Sequence, residues 1–234
     1  LEGKENPFGG YVEKGMDGER TWVYSIEASR KNYSTSKAVE TTVNETKIMG
    51  ELKKADIPEA DIAQFIDRLK RSVTKEIVYY IPFKGPQGEI FIQQGKPEIN
   101  TYWGGLLIRQ IIDGVETYNI YDGAFDQYGI AHISISVSVD TGKIKTIAIT
   151  TSTPDDFKKG LVKKDVIFYD SVEKEIKGEY QAFDIKGRLI DQHGSRRGAR
   201  YEYSGVAGEY GIAGKVTFYI IVNGKSIDIY AGPL

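Results

Sequence analysis

The chain contains no cysteine. Disulfide staples, thiolate zinc sites and cysteine nucleophiles are excluded together. Histidine is almost missing as well: 2 residues in 234, with 2 methionines and 2 tryptophans. Charge of one sign is lacking, since 31 Lys and Arg face 33 Asp and Glu for a formal charge of −2. Nothing global draws such a chain to nucleic acid or to an anionic membrane. No apolar run approaches the length needed to cross a bilayer. The opening LEGKENPFGG has no basic-then-apolar segment, so no signal peptide is expected in it. GxSxG, Walker, dinucleotide-glycine and zinc-protease patterns are all missing.

What is there is strand. Ile130 to Thr151 alternates with period 2, placing Ile133, Ile135, Val137 and Val139 on one face and His132, Ser134, Ser136 and Ser138 on the other. A three-residue loop, Asp140-Thr141-Gly142, would pair Val139 with Lys143, Ile135 with Ile147 and Ile133 with Ile149. A two-residue loop would mix the faces. Gly142 then falls where a left-handed residue is needed. Asn223-Gly224 marks a second hairpin, with Val222 against Lys225, Ile220 against Ile227 and Phe218 against Ile229. Val216, Phe218, Ile220, Val222, Ile227 and Ile229 then share one face.

Read in order, residues 1–35 are an N-terminal extension with one strand, Arg20 to Ile26, in which Trp22, Tyr24 and Ile26 share a face. Residues 36–73 read as a helical hairpin of the same domain. Ser36 is the expected N-cap of its first helix and Asp56 of its second, whose apolar face is Ile62, Phe65, Ile66 and Leu69. The basic end of that helix, Arg68, Lys70 and Arg71, suits the helix dipole. Residues 74–234 read as an antiparallel β domain: strands from Ile77 to Phe83, Glu89 to Gln93, Val115 to Tyr121, Val166 to Tyr169, Glu175 to Asp184 and Arg188 to Gln192. Thr101 to Ile112 is expected as strand with a bulge at Gly104-Gly105. Pro154 to Lys159 reads as one helical turn capped by Thr153. The expected class is mainly β, an antiparallel β-sandwich or barrel with the helical hairpin packed on it.

No reactive motif stands out, so no catalytic residue and no cofactor is assigned. His132 on the polar strand face and His193 in a basic, Gly-rich loop, with Arg196, Arg197 and Arg200, make a nucleic-acid-cleaving or toxin domain one alternative. Asp122 and Asp126, in a Gly-punctuated acidic run, are candidate calcium ligands, although Asp-Gly turn chemistry explains the run equally. Aromatics such as Tyr102, Trp103 and Tyr219 would suit a carbohydrate- or protein-binding module. The Ile130–Thr151 alternation also matches a membrane-inserting hairpin, a pattern that half-buried soluble hairpins share. The favoured reading is a self-assembling structural β protein: a subunit of an extracellular filament, appendage or virion, forming homo-oligomers through sheet edges and the strand of Trp22, Tyr24 and Ile26.

Overall fold

The computed structural model describes residues 11–14, 20–23, 33–84, 90–94, 96–209 and 211–233. Strands β1 (Tyr11–Lys14) and β2 (Arg20–Val23) form an antiparallel pair of their own, with Val12 opposite Trp22. Strand β3 (Tyr33–Val39) begins the main sheet, and helices α1 (Glu45–Lys54) and α2 (Glu59–Lys70) follow it. The long β4 (Val73–Lys84) pairs β3 on one side. On its other side it pairs β5 (Ile90–Gln94) and β6 (Glu98–Trp103) in succession.

From β6 onward the chain meanders. Strands β7 (Leu106–Ile112), β8 (Val115–Ile120), β9 (Ile133–Ser138), β10 (Ile144–Thr150) and β11 (Leu161–Tyr169) each lie antiparallel to the one before. Strands β12 (Glu175–Asp184), β13 (Leu189–His193), β14 (Arg197–Glu202), β15 (Lys215–Val222) and β16 (Lys225–Gly232) continue the pattern. Short helices α3 (Gly123–Asp126), α4 (Pro154–Lys158) and α5 (Gly205–Glu209) fill three connections. The result is mainly β and antiparallel, as expected: one 14-stranded sheet whose end strands are β3 and β16. The sheet does not close, so the expected sandwich or barrel is corrected to an open sheet. Neighbour-to-neighbour pairing leaves no strand to return and join the two ends.

The helices supply the second layer over part of this sheet. Ile48 and Leu52 of α1 and Ile62, Phe65, Ile66 and Leu69 of α2 are buried against Ile108, Tyr118, Ile135, Val137 and Ile147. Strand register aligns the sheet side of this core, with Tyr118 opposite Ile135 and Ile135 opposite Ile147. Each such side chain contributes roughly 1.5–3 kcal/mol on burial. The α2 face is the one periodicity predicts. The helix starts are not. Ser36 lies within β3, and α1 is capped by Asn44, whose side chain accepts from the Lys47 amide at 3.1 Å. Asp56 sits at φ 55 in the α1–α2 turn and the N-cap of α2 is Pro58, with no side-chain bond. Arg68 is buried rather than solvated at the helix end. Among the described residues, no helix is long and apolar enough to cross a membrane.

Both deduced hairpins form, each with a bulge. In the first, Ile135 pairs Ile147, Ile133 pairs Ile149 and Ser136 pairs Thr146, but a shift between Ile144 and Thr146 sets Val137 opposite Ile144. Ser138 therefore donates its amide to the Lys143 carbonyl, and the loop is Val139–Gly142, one residue longer than expected. Gly142 has the anticipated positive φ, +63. In the second, Ile220 pairs Ile227 and Val222 pairs Lys225, while a bulge pairs Phe218 with Tyr230 instead of Ile229. Gly104-Gly105 is not a bulge. Trp103 pairs Leu106 across it, and φ of +55 and +87 make it a tight two-residue turn.

The largest departure is where apolar residues end up. On the face away from the helices the middle of the sheet shows Thr117, Ser136 and Thr146. At the C-terminal end the same face shows Phe218, Ile220, Val222, Ile227 and Tyr230, each between 37% and 49% exposed. Apart from Val216, which is buried, the apolar face of the second hairpin is thus surface, because no helix reaches it. This predicts a sharp contrast in urea denaturation. Leu69→Ala, at a fully buried site, costs about 2–5 kcal/mol. Ile229→Ala, at a site 61% exposed, shifts stability by less than about 0.5 kcal/mol.

Candidate functional site

Three places gather polar chemistry. The most buried lies where α1 crosses β7 and β8. Glu116, Tyr118 and Ile120 alternate inward along β8, so a carboxylate enters the core in an otherwise apolar set. Arg109 Nε meets Glu116 Oε1 at 2.6 Å and Lys47 Nζ meets Glu116 Oε2 at 3.1 Å. The Tyr118 hydroxyl donates to Glu51 Oε2 at 2.6 Å. The other Glu51 oxygen is buried without a hydrogen-bond partner, beside the side-chain-free Gly142, where a Cβ would fall 2.8 Å from it. Sequence reasoning singled out neither Glu51 and Glu116 nor their basic partners Lys47 and Arg109. The available signal was Glu116 sharing the inward parity of Tyr118 and Ile120.

Burial dominates the titration of this cluster. It pushes the Glu51 carboxyl above the usual carboxylate range, and the bond from Tyr118 and the nearby charge of Lys47 only partly oppose it. The Tyr118 phenol is pushed up by burial and by its bond to Glu51. Tyr118 and Glu116 are closed off, at 0% and 2% exposed, and the cluster clamps α1 to the sheet, while Lys47 and Glu51 also line an open depression beside Asp140 and Gly142. A raised folded-state pKa means the folded form holds the proton more tightly than the unfolded chain. Glu51 therefore contributes stability below about pH 4, and that contribution is lost as pH rises through its folded-state value. Denaturation midpoints of the wild type should fall relative to Glu51→Gln across that window, with the two curves parallel outside it.

The residues singled out from sequence lie apart. Trp22 is in β2, while Tyr24 and Ile26 lie outside the described residues. Asp126 is held by Arg68 at 3.2 Å, and Arg68 in turn lies 4.4 Å from the Trp103 ring centre. The Asp122 carbonyl accepts from the Phe125 and Asp126 amides, opening α3. Among the described residues, no three acidic or histidine side chains group as metal ligands do. His132 packs edge-on to Phe125 at 4.8 Å, and Phe125 packs on Phe157 of α4. His193 belongs to β13. Strands β10, β11 and β12 separate it from the start of β9, about 19 Å at sheet spacing. The two histidines do not meet.

The stretch expected as a loop around His193 is instead the β13–β14 hairpin, closed by the Gly194 amide on the Arg197 carbonyl at 3.1 Å. Register sets Tyr180, His193, Gly198 and Tyr219 in a row on the helix side. Tyr219 lies across Gly198, where a Cβ would meet its ring at 2.3 Å. Its hydroxyl donates to Asp191 Oδ1 at 2.8 Å and sits 3.1 Å from His193 Nδ1. Arg200 stacks on the same ring at 4.6 Å and reaches Ser226 and Asp228 of β16. Burial and the Asp191 bond push the Tyr219 phenol up. This row ties four bare strands together.

On the opposite face the same strands leave a depression of about 490 Å³ between Glu179, Gln192, Arg197 and Phe218, lined also by Lys177 and Arg196. Ala199 and Gly194, too small to fill it, form part of its lining. Comparison with protein-family models, curated proteins and solved structures finds no match. The role of the chain therefore rests on this geometry alone.

Proposed function

We propose that the chain is a non-enzymatic, self-assembling structural β protein, and that a second copy covers its terminal hairpin. The observation that carries this reading is the bare end of the sheet. Residues Lys225 to Ala231 of β16 are all exposed, and β16 is an end strand of the sheet. An end strand presents a row of backbone donors and acceptors ready to pair. Beside it, Ile220, Val222, Ile227, Ile229 and Tyr230 are exposed together. Such a patch offers roughly 500 Å² per chain, and two patches facing each other reach about the 1,000 Å² at which specific interfaces begin. A copy of the same chain brings both the matching edge and the matching apolar patch. An extracellular or surface-exposed filament or appendage is the setting such a subunit fits.

A carbohydrate- or protein-binding module is the second reading, favoured by the depression beside Phe218. The nucleic-acid-cleaving reading loses support from the separation of His132 and His193.

Particle size decides between assembly and solitary binding. Light scattering on the purified chain should give dimers or larger particles that grow with concentration. Ile227→Lys with Ile229→Lys, both at exposed positions, should reduce them to monomers without lowering the thermal midpoint. Deleting residues 1–30, which include Trp22, Tyr24 and Ile26, should abolish the particles if that strand joins subunits and leave them if β16 joins them alone. A wild-type monomer at every concentration would sink the reading.

A further inference from the structure

We propose that the depression at the β13–β14 turn, on the face away from the helices, binds a phosphate or sulfate ester carried on a sugar ring. The argument begins with unpaired charge. Among the described residues, Arg68, Arg71, Arg109, Arg188 and Arg200 each pair with a carboxylate: Asp126, Asp67, Glu116, Asp184 and Asp228. Arg196 and Arg197 have no such partner, and both line this one depression. Two adjacent guanidinium groups without counter-charge are suited to an oxyanion, whose geometry matches their paired N–H donors.

The surroundings add direction. Lys177 and Glu179 neutralise each other at 3.0 Å, so the arginines set the net sign. Gln192 and Ser195 add neutral hydrogen-bonding groups to the lining. The turn itself is anchored, since the Arg196 carbonyl accepts from the Ile221 amide at 2.9 Å and the Gly194 amide donates to the Arg197 carbonyl. The arginines therefore project from fixed backbone. The volume, about 490 Å³, exceeds what one inorganic anion fills and falls within the range of small-molecule sites. Phe218 stands at its border, 44% exposed, as an apolar surface against which a ring can lie. Two unpaired guanidinium groups and an aromatic face lining one depression suit an ester on a ring.

Calorimetric titration of the full chain with glucose 6-phosphate, glucose 6-sulfate, glucose and inorganic sulfate tests this. Both esters, or one of them, should bind and should weaken as salt rises; glucose alone should not bind. A preference between the two esters identifies the source of the anion. Arg196→Gln with Arg197→Gln should weaken ester binding about tenfold or more, while the Lys pair at the same positions retains part of it. Phe218→Ala should weaken the esters and leave inorganic sulfate unchanged. Circular dichroism and light scattering on each variant separate a lost site from a lost fold or a lost assembly. No heat with either ester at about 10 mM, or equal binding by the Gln pair in its folded state, would overturn the proposal.

Discussion

A sheet of fourteen strands has two broad faces, and the described residues include only two helices of three turns or so with which to cover them. That shortage of covering layer governs the molecule. Apolar burial needs a second surface, and α1 and α2 provide one only over β6 to β10. Within that footprint the structure resembles any α+β core: inward Ile, Leu, Tyr and Phe, and a buried carboxylate pair whose charge is met by Lys47 and Arg109. Outside it the sheet is held by its own ladders and by side chains lying flat along it.

The devices used on the bare half follow from that condition. Tyr219 laid over Gly198 protects a strand position with no side chain of its own, and Arg200 stacked on Tyr219 covers the ring in turn. Lys177 over Phe168 and Lys164 over Phe183 do the same on other strands, the stems of long cations screening aromatic faces from water. The Lys164 ammonium is disfavoured there by burial, which lowers its pKa. These are substitutes for a second layer, and they run out at β15 and β16.

Much of the strand arrangement could be read from residues, since alternation and turn chemistry are local. Asn223-Gly224 specified register correctly next to its turn, and the Ser–Ile alternation of β9 specified it beyond the bulge, at Ser136, Ile135 and Ile133. What escaped was decided at a distance. The bulges beside Ile144 and Phe218 leave no mark in a period-2 pattern. Ser36 looked like a helix cap because Val39 and Val43 stand at helical spacing, yet pairing with β4 draws Tyr33–Val39 into strand. That the apolar face of the last hairpin is bare could not be read, because alternation tells which residues share a face, not whether anything lies above it. For the same reason the depression at Arg196 and Arg197 was invisible: a basic loop and a closed hairpin turn have the same composition.

The meander has a thermodynamic corollary. From β7 to β16 every strand hydrogen-bonds only to its sequence neighbours, so the energetics approach those of a linear array, with near-neighbour terms and little long-range cooperativity. Opening fluctuations in such an array start at the unsupported terminus and travel inward strand by strand, halting where the helices add a second contact. Amide protons should accordingly form a gradient of exchange protection along the chain, steepest across β10 and β11, rather than one all-or-none class.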